Sequence, residues 1–377
     1  MQSSLLQTDS IDELETLVQA TERSSNRGIS YTARTRAIRI RHLNSDWVAL
    51  KLDHERLHCK RTSLTLSTSW ESKSIGVLGE QRVLVEWKAY SPNLSLQESE
   101  LRVAEIANLL HATNSSRPDD LRVPLCIGYI RGSAASGADK AAGIIYSIPA
   151  SFPPVPAKPE NLYDLLCQKT SGADGQQRPP LEARKALACA LARALYHLHG
   201  ANWLHKGLRP SNVIFFPYES STFSPSESTL IATLSKPQLI GFDYARPDSE
   251  NQKSEETDVA HNIYRHPSAQ GAPCERFTPA FDLFALGIIL PEIGIWVPMQ
   301  ELHSRYKRDK GLADDAATKL LHSHLQNPQR GRGVVKDLPF MMSTKYFEAV
   351  RSCLLVQPET YNSQMFIDII GKLETLP

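Results

Sequence analysis

Between residues 62 and 148 the hydrophobic pattern is that of β-strands: residues 63–68 alternate between polar and apolar with a period of two, and four further short strand-like runs follow. This period is typical of half-buried β-strands. Between the third and fourth strand-like runs, apolar residues recur at helical spacing from Leu101 to Leu110, which predicts one helix. The pattern therefore predicts a five-stranded sheet with a single helix. The predicted strands are 63–68, 75–80, 83–88, 125–130 and 143–148.

After the sheet the pattern changes to helices. Residues 149–160 contain five prolines, which a helix or central strand does not tolerate, so we predict a hinge-like connector. Residues 161–377 are predicted to be mainly helical, with one amphipathic helix over 182–199. The stretch 281–296 is apolar nearly all round and is expected to be a buried central helix, kinked or ended by Pro291.

Two segments of the helical part are predicted to lie on the surface. Residues 218–235 contain nine Ser or Thr and few large apolar residues, and residues 248–262 are acidic and polar. We expect these segments to carry contacts with a protein partner.

Residues 1–61 form a separate N-terminal extension in this interpretation. Residues 11–18 have the pattern of a short amphipathic helix, and Ser10 is a suitable N-cap. Six arginines and no acid follow between Arg23 and Arg41. A basic tether to membrane lipid or nucleic acid is one interpretation. A solvated, partly disordered regulatory extension is favoured, because the basic stretch has no aromatic interleaving and little helical amphipathicity.

Composition places the chain among ordinary globular proteins. Of its 377 residues, 41% are hydrophobic and 22% are charged, and the formal net charge is +1. This balance argues against a global field that recruits nucleic acid. Six scattered cysteines without a Cys-x-x-Cys pair are typical of reduced thiols. With an acidic N-terminus and no apolar run of ~20 residues, a cytoplasmic protein is expected.

The chemistry-bearing motif lies in residues 198–214, where a helical pattern ends, a polar turn follows and an apolar strand begins. His205 and Asn212 stand seven residues apart, as in the protein-kinase signature His-Arg-Asp-Leu-x-x-x-Asn. Gly207 occupies the position of the catalytic aspartate, and Arg209 lies in the same loop.

Other kinase landmarks occur in the same order along the chain. They are Val85-Glu86-Trp87-Lys88, Glu105 on the next helix, Gly241-Phe242-Asp243, Tyr264-Arg265-His266-Pro267 and Phe281-Asp282. Over residues 62–370 the chain therefore resembles the protein-kinase superfamily. It is most similar to kinase-like proteins of filamentous fungi, which often occur beside HeLo-type cell-death and prion-forming modules.

The resemblance implies a fold and a set of roles. The fold would be α+β and bilobal, with a β-rich N-lobe at 62–148 and a helical C-lobe at 161–377. Lys88 would pair with nucleotide phosphates and Glu105 with Lys88, while Asn212 and Asp243 would bind magnesium. Asp282 would brace the backbone of the catalytic loop, and Pro267 would be structural.

Four departures from the pattern weaken the catalytic interpretation. Gly207 has no side chain to accept a proton, and Gly241 stands where the metal-binding aspartate is expected. Residues 67–71 lack the glycines that cover phosphates, whereas Gly76 and Gly79 fit a hairpin turn. Glu86 shares a strand face with Lys88, on the side where a nucleotide would lie.

The retained polar residues have structural alternatives. Lys88 is expected to form an ion pair with Glu86 or Glu105, His205 to be a packed loop histidine, and Asn212 to hydrogen-bond the loop. We therefore predict a catalytically impaired kinase-like domain, a pseudokinase, that binds protein partners or acts as a regulatory switch, with no cofactor expected. The alternative is a low-activity Ser/Thr kinase using ATP and magnesium, with Asp243 as a metal ligand.

Overall fold

A computed structural model of the chain describes most of the sequence outside several loops and the N-terminal stretch. The description covers residues 8, 10–22, 29, 32–34, 36–37, 40, 56–70, 72–89, 95–112, 118–131, 141–152, 158–168, 178–201, 203–216, 227–242, 259–270, 277–327 and 334–375. Asp243 and the rest of 243–258 lie outside these ranges, as do 217–226 and 153–157.

The N-terminal half contains a five-stranded antiparallel sheet and one long helix, as predicted. The strands pair in the order β1-β2-β3-β5-β4, with helix α2 between β3 and β4 in the chain. One face of the sheet packs against α2 and joins the main hydrophobic core, while Val83, Val85 and Ile145 pack together on the other face. The elements are β1 (Leu64–Trp70), β2 (Lys73–Leu78), β3 (Gln81–Ala89), α2 (Leu96–Ala112), β4 (Cys126–Ile130) and β5 (Ala141–Ser147).

The two glycines assigned to one hairpin turn have different positions. Gly79 lies in the β2–β3 turn with φ +62°, a left-handed conformation that favours glycine. The prediction is wrong for Gly76, which lies inside β2. A Cβ on Gly76 would stand 2.5 Å from the Thr65 carbonyl oxygen, so the close approach of β1 explains this glycine.

Residues 57–59, which lie before the predicted boundary at 61, make backbone contacts with the sheet. His58 forms a parallel β-bridge with Tyr129 of β4. The Tyr129 N–H donates to the Leu57 carbonyl at 3.0 Å, and the Cys59 N–H donates to the Tyr129 carbonyl at 2.8 Å. Gly128 permits this approach, because a Cβ there would overlap the Leu57 carbonyl.

The C-terminal half is mostly helical and is built around α6, which is buried along its whole length as the apolar pattern predicts. Pro291 does not end this helix, which continues to Ile295, so the expectation of a stop is wrong. In the described ranges, no single helix is long and apolar enough to cross a membrane, and only α6 and α7 taken together, with a 90° bend, pass such a test. The helices are α3 (Leu162–Cys167), α4 (Leu181–Gly200), α5 (Glu227–Leu234), α6 (Pro279–Ile295), α7 (Met299–Lys310), α8 (Asp314–Gln326), α9 (Leu338–Met341), α10 (Thr344–Leu354) and α11 (Ser363–Glu374).

A small antiparallel sheet carries the chain away from the polar loop at 203–212. Its strands are β6 (Glu160–Asn161), β7 (Val213–Phe215) and β8 (Gln238–Leu239), in the order β6-β7-β8. Between β7 and β8, helix α5 packs on α4 and buries Leu234 completely. The prediction that 218–235 is purely a surface insertion is therefore wrong for its second half.

The N-terminal segment also contributes buried contacts. Helix α1 (Ile11–Glu22) buries Leu14 and Val18 against Ala33 and Ala37 of a following helical stretch. Thr32 lies beside the C-terminal end of α4, because a Cβ on Gly200 would stand 3.3 Å from the Thr32 methyl group. The expectation of a solvated extension is therefore wrong for these residues, while Arg23, Arg27, Arg39 and Arg41 lie outside the described part of the chain.

Candidate functional site

Asp282 at the start of α6 fixes the backbone of the loop 203–212, as the sequence predicts. Its carboxylate is buried and accepts the His205 N–H at 2.7 Å and the Lys206 N–H at 2.8 Å. His199 at the end of α4 lies 3.3 Å from the same carboxylate. These bonds hold Lys206 in a left-handed conformation with φ +61°, which a lysine seldom adopts.

His205 is a packed loop histidine, in agreement with the structural alternative. The side chain is fully buried, and its ring lies 4.7 Å from the ring of Phe242. Its Nδ1 accepts the Gly207 N–H at 3.3 Å, so this nitrogen carries no proton. Farther along the loop, Arg209 donates from Nε to the Ser211 hydroxyl at 3.0 Å.

Asn212 joins the two glycines that stand at the expected catalytic positions. Its buried carboxamide donates to the Gly207 carbonyl at 2.7 Å. Gly241 has φ +86°, and a Cβ there would overlap the Asn212 carboxamide. A Cβ on Gly207 would stand 2.9 Å from the Gly241 carbonyl oxygen. The Gly241 carbonyl thus obstructs a side chain at 207, and the Asn212 carboxamide fills the space that a side chain at 241 would need.

The inner face of the sheet carries a buried polar cluster around Glu86. Lys88 Nζ lies 2.6 Å from Glu86 Oε1, and the Tyr146 hydroxyl donates to Glu86 Oε2 at 3.1 Å. Lys73 on β2, also buried, is the cross-strand neighbour of Glu86. The predicted Lys88–Glu86 ion pair is confirmed, and Glu105 is half-buried on α2. The sequence did not identify Lys73 and Tyr146 as members of this cluster, because they lie on other strands and reach Glu86 only when the strands pair.

A third buried carboxyl, that of Glu292, links the segment at 259–264 to the junction of α6 and α7. The Tyr264 hydroxyl lies 2.7 Å from Glu292 Oε1 and 2.8 Å from Gln300 Oε1, and the Met299 N–H donates to Glu292 Oε1 at 2.7 Å. Burial raises the pKa of Glu292 to about 8 and that of Tyr264 well above its ordinary value. A charged residue inside an otherwise apolar helix is the signal that could have identified Glu292.

Two further predicted residues have different outcomes. Pro267 begins a short 3₁₀ helix, Pro267–Ala269, and the preceding His266 side chain accepts the Ser268 N–H. Asp243, predicted as a magnesium ligand, lies outside the described residues. Among the described residues, no group of three His, Cys, Asp or Glu side chains is arranged to hold a metal ion.

A family model described as a domain of unknown function (DUF7580) matches residues 136–368, which is more than half of the chain. The chain therefore belongs to this family. The match begins near β5 and extends to α11, so it includes the loop 203–212 and the bracing Asp282. No curated protein matches the chain.

Proposed function

We propose that this member of the DUF7580 family is a catalytically impaired protein-kinase-like module that binds a protein partner or acts as a regulatory switch. The compartment we propose is the cytoplasm. The proposal combines the resemblance of the motifs with the positions of the residues that carry them.

The order of the elements supports a kinase-like interpretation. In protein kinases the phosphate-binding lysine lies on the third strand, and the catalytic loop follows farther along the chain. Here Lys88 lies on β3, Glu105 lies on the following helix α2, and the loop 203–212 follows α4. The two backbone N–H bonds from this loop to Asp282 agree with the bracing role that the resemblance implies.

The observation that carries the inactive interpretation is the position of the Asn212 side chain. Phosphoryl transfer in protein kinases uses one carboxylate as the base that accepts the substrate proton and a second carboxylate that holds magnesium. The Asn212 carboxamide fills the space beside Gly241 and bonds to the Gly207 carbonyl, so neither glycine has room for an aspartate without rearrangement.

The polar cluster on β3 argues against tight nucleotide binding. The Lys88 ammonium is already paired with Glu86, which also accepts the Tyr146 hydroxyl. A phosphate that recruited Lys88 would leave the buried Glu86 carboxylate without this cation, and such a charge is costly to leave buried. Charge on Glu86 would also repel the phosphates of the nucleotide.

Thermal unfolding of the purified chain with millimolar ATP and magnesium tests the proposal. A ligand that binds only the folded state raises the melting temperature, so a shift would reveal nucleotide binding. We expect no such shift. Lys88→Met tests the lysine, and Lys345→Met on an exposed face of α10 is the matched control. We also expect that Gly207→Asp alone creates no phosphotransfer.

A stabilisation by ATP that disappears in Lys88→Met and persists in Lys345→Met would contradict the inactive interpretation. It would favour the low-activity Ser/Thr kinase instead, with Asp243 as a magnesium ligand. Measurable phosphotransfer by Gly207→Asp would show that the space around Asn212 opens readily, which our account of this site does not allow.

A further inference from the structure

The segment 259–270 lies against the helical part of the chain and is held there largely by side chains. It contains two short 3₁₀ helices, Val259–Tyr264 and Pro267–Ala269, and the side chains of Ile263 and Tyr264 are buried. A 3₁₀ helix has poorer hydrogen-bond geometry than an α-helix, and short units of this kind open at a lower free energy than a protein core. The side-chain contacts therefore determine whether this segment stays docked.

One of these contacts joins the segment to a buried carboxyl group. The Tyr264 hydroxyl lies 2.7 Å from Glu292 Oε1 and 2.8 Å from Gln300 Oε1, and the Met299 N–H donates to Glu292 Oε1. The other carboxyl oxygen, Oε2, is buried and accepts no hydrogen bond from the described residues. No cation among those residues stabilises a charge on Glu292. Because an ionised carboxylate is costly in such a position, the geometry requires the protonated form.

The titratable groups that face Glu292 from α3 are neutral at neutral pH. They are Tyr163 and Cys167, and partial burial raises the pKa of both. The carboxylates of Asp164 and Glu301 lie near these two groups, so this side adds negative rather than positive charge. Burial raises the pKa of Glu292 to about 8, which agrees with a carboxyl group that keeps its proton at neutral pH and loses it just above.

A second buried contact fixes the residue before Tyr264. His322 on α8 donates from Nε2 to the Ile263 carbonyl at 2.7 Å. Burial lowers the pKa of His322 to about 4, and the nearby His266 and His303 act in the same direction. This imidazole is therefore neutral above about pH 7 whether the segment is docked or open. A change in docking above that pH must come from Glu292.

Tyr264 also controls the access of water to Glu292. It lines a pocket beside the loop 203–212, and Glu292 is not part of that lining. Moving the Tyr264 side chain aside therefore gives water a path to the buried carboxyl group, where Oε2 has no partner among the described residues. Hydration removes most of the cost of a negative charge on Glu292.

We propose that the segment 259–270 is a proton-controlled latch, which is docked while Glu292 carries its proton and opens when Glu292 releases that proton to solvent. Opening breaks the contact of Tyr264 with Glu292 and moves one wall of the pocket away from the loop 203–212. The inference rests on the proposed function for its role only, because it names the signal to which such a regulatory switch would respond.

Hydrogen exchange of the backbone amides in 259–270, measured on the full chain in a pH series, tests the latch. The rates are corrected for the intrinsic pH dependence of amide exchange. The pKa of Glu292 is about 8 when the segment is docked and roughly 4.3 when the carboxyl group is hydrated. The equilibrium constant for opening should therefore increase about ten-fold between about pH 7 and pH 8.5. Low concentrations of urea should hardly change it, since local opening exposes little surface.

Two variants assign the effect to one carboxyl group. Glu292→Gln keeps the size of the side chain and an acceptor oxygen but cannot ionise, so opening should change by less than about two-fold over the same pH range. Glu301→Gln is the matched control, because Glu301 is an exposed acid on α7 that pairs with Arg305. This control should retain the increase seen in wild type. The wild-type series needs no variant, so it decides the question if Glu292→Gln fails to fold.

Protection of 259–270 that is the same at both ends of the pH range would overturn the proposal. An increase in opening that persists in Glu292→Gln, or that vanishes in Glu301→Gln, would also overturn it. Exchange of the segment with the urea dependence of global unfolding would have the same meaning, because no separate latch would then exist. Titration with ATP is a separate measurement, so the loss of the latch leaves the inactive kinase-like interpretation in place.

Discussion

Replacing Gly241 by alanine should destabilise the chain far more than the same change at other left-handed glycines. The backbone of Gly241 has φ +86°, and an added methyl group would overlap the Asn212 carboxamide. Gly311, after α7, is the matched control, because it has φ +62° and a Cβ there would meet no atom within 4 Å.

The expected magnitude has two parts. A non-glycine residue in the left-handed region costs roughly 1–2 kcal/mol, and this cost applies to both glycines. At Gly241 the methyl group must also displace Asn212, whose 2.7 Å bond to the Gly207 carbonyl would break and leave buried polar groups unsatisfied. That second effect costs roughly 1–3 kcal/mol. We therefore expect Gly241→Ala to cost about 2–5 kcal/mol and Gly311→Ala about 1–2 kcal/mol.

Equilibrium urea unfolding, followed by tryptophan fluorescence, and thermal unfolding, followed by calorimetry, measure the stability of both glycine variants. A double-mutant cycle with Asn212→Ala then isolates the contact between the two sites. Once the carboxamide is removed, the methyl group at 241 has room, so Gly241→Ala in that background should cost only what Gly311→Ala costs. The coupling free energy should be about 1–3 kcal/mol.

The result that refutes the reasoning is a cost for Gly241→Ala no larger than that for Gly311→Ala. Additive effects in the cycle would have the same meaning. Either outcome would show that Asn212 does not fill the space beside Gly241, and position 241 could then accept a side chain. The observation that carries the proposed loss of catalysis would fail with it.

Three further expectations concern buried titratable groups. Burial raises the folded-state pKa of Glu292 to about 8, so its protonated form favours folding at low pH and this stabilisation is lost as the pH rises towards 8. In urea titrations, the free energy of unfolding of Glu292→Gln minus that of wild type should therefore increase by about 3 kcal/mol between about pH 5 and pH 8. A difference that does not change with pH would contradict this expectation. Burial lowers the pKa of His322 to about 4, so the neutral imidazole stabilises the fold above about pH 6.5 and this stabilisation is lost on acidification. Between about pH 7 and pH 5, the free energy of unfolding of wild type should fall by about 2 kcal/mol relative to that of His322→Gln. Parallel curves of stability against pH would exclude this effect. Asp282→Asn should cost about 3 kcal/mol, because an amide cannot accept both the His205 and the Lys206 N–H, and an unchanged urea midpoint would disprove the bracing role.

Local pattern was enough to predict much of the N-terminal sheet and the main helices. The strand-like run 83–88 and the helical spacing from Leu101 to Leu110 identified β3 and α2 with errors of a few residues at their ends. The burial of α6 followed from its composition alone. By contrast, the sequence placed Gly76 in a turn, since a glycine in a strand has no local signal when its cause is the approach of Thr65.

The candidate site divides in the same way. The Asp282 bonds to the loop 203–212 and the Lys88–Glu86 pair were predicted from motif order and strand alternation, since each depends on a short-range or recurrent geometry. The contribution of Lys73 and the pair Tyr264–Glu292 were not, because their partners are distant in the chain and meet only when strands and helices pack.

The amino-acid sequence by itself determined which residues could do chemistry, because the absence of a side chain at Gly207 and Gly241 is a property of the letters alone. Only the tertiary structure decided that the Asn212 carboxamide fills the space that a side chain at position 241 would occupy. The Asn212 carboxamide reaches it because β7 and β8 pair and bring position 241 beside the loop, as the bond from the Ile240 N–H to the Asn212 carbonyl at 2.9 Å shows.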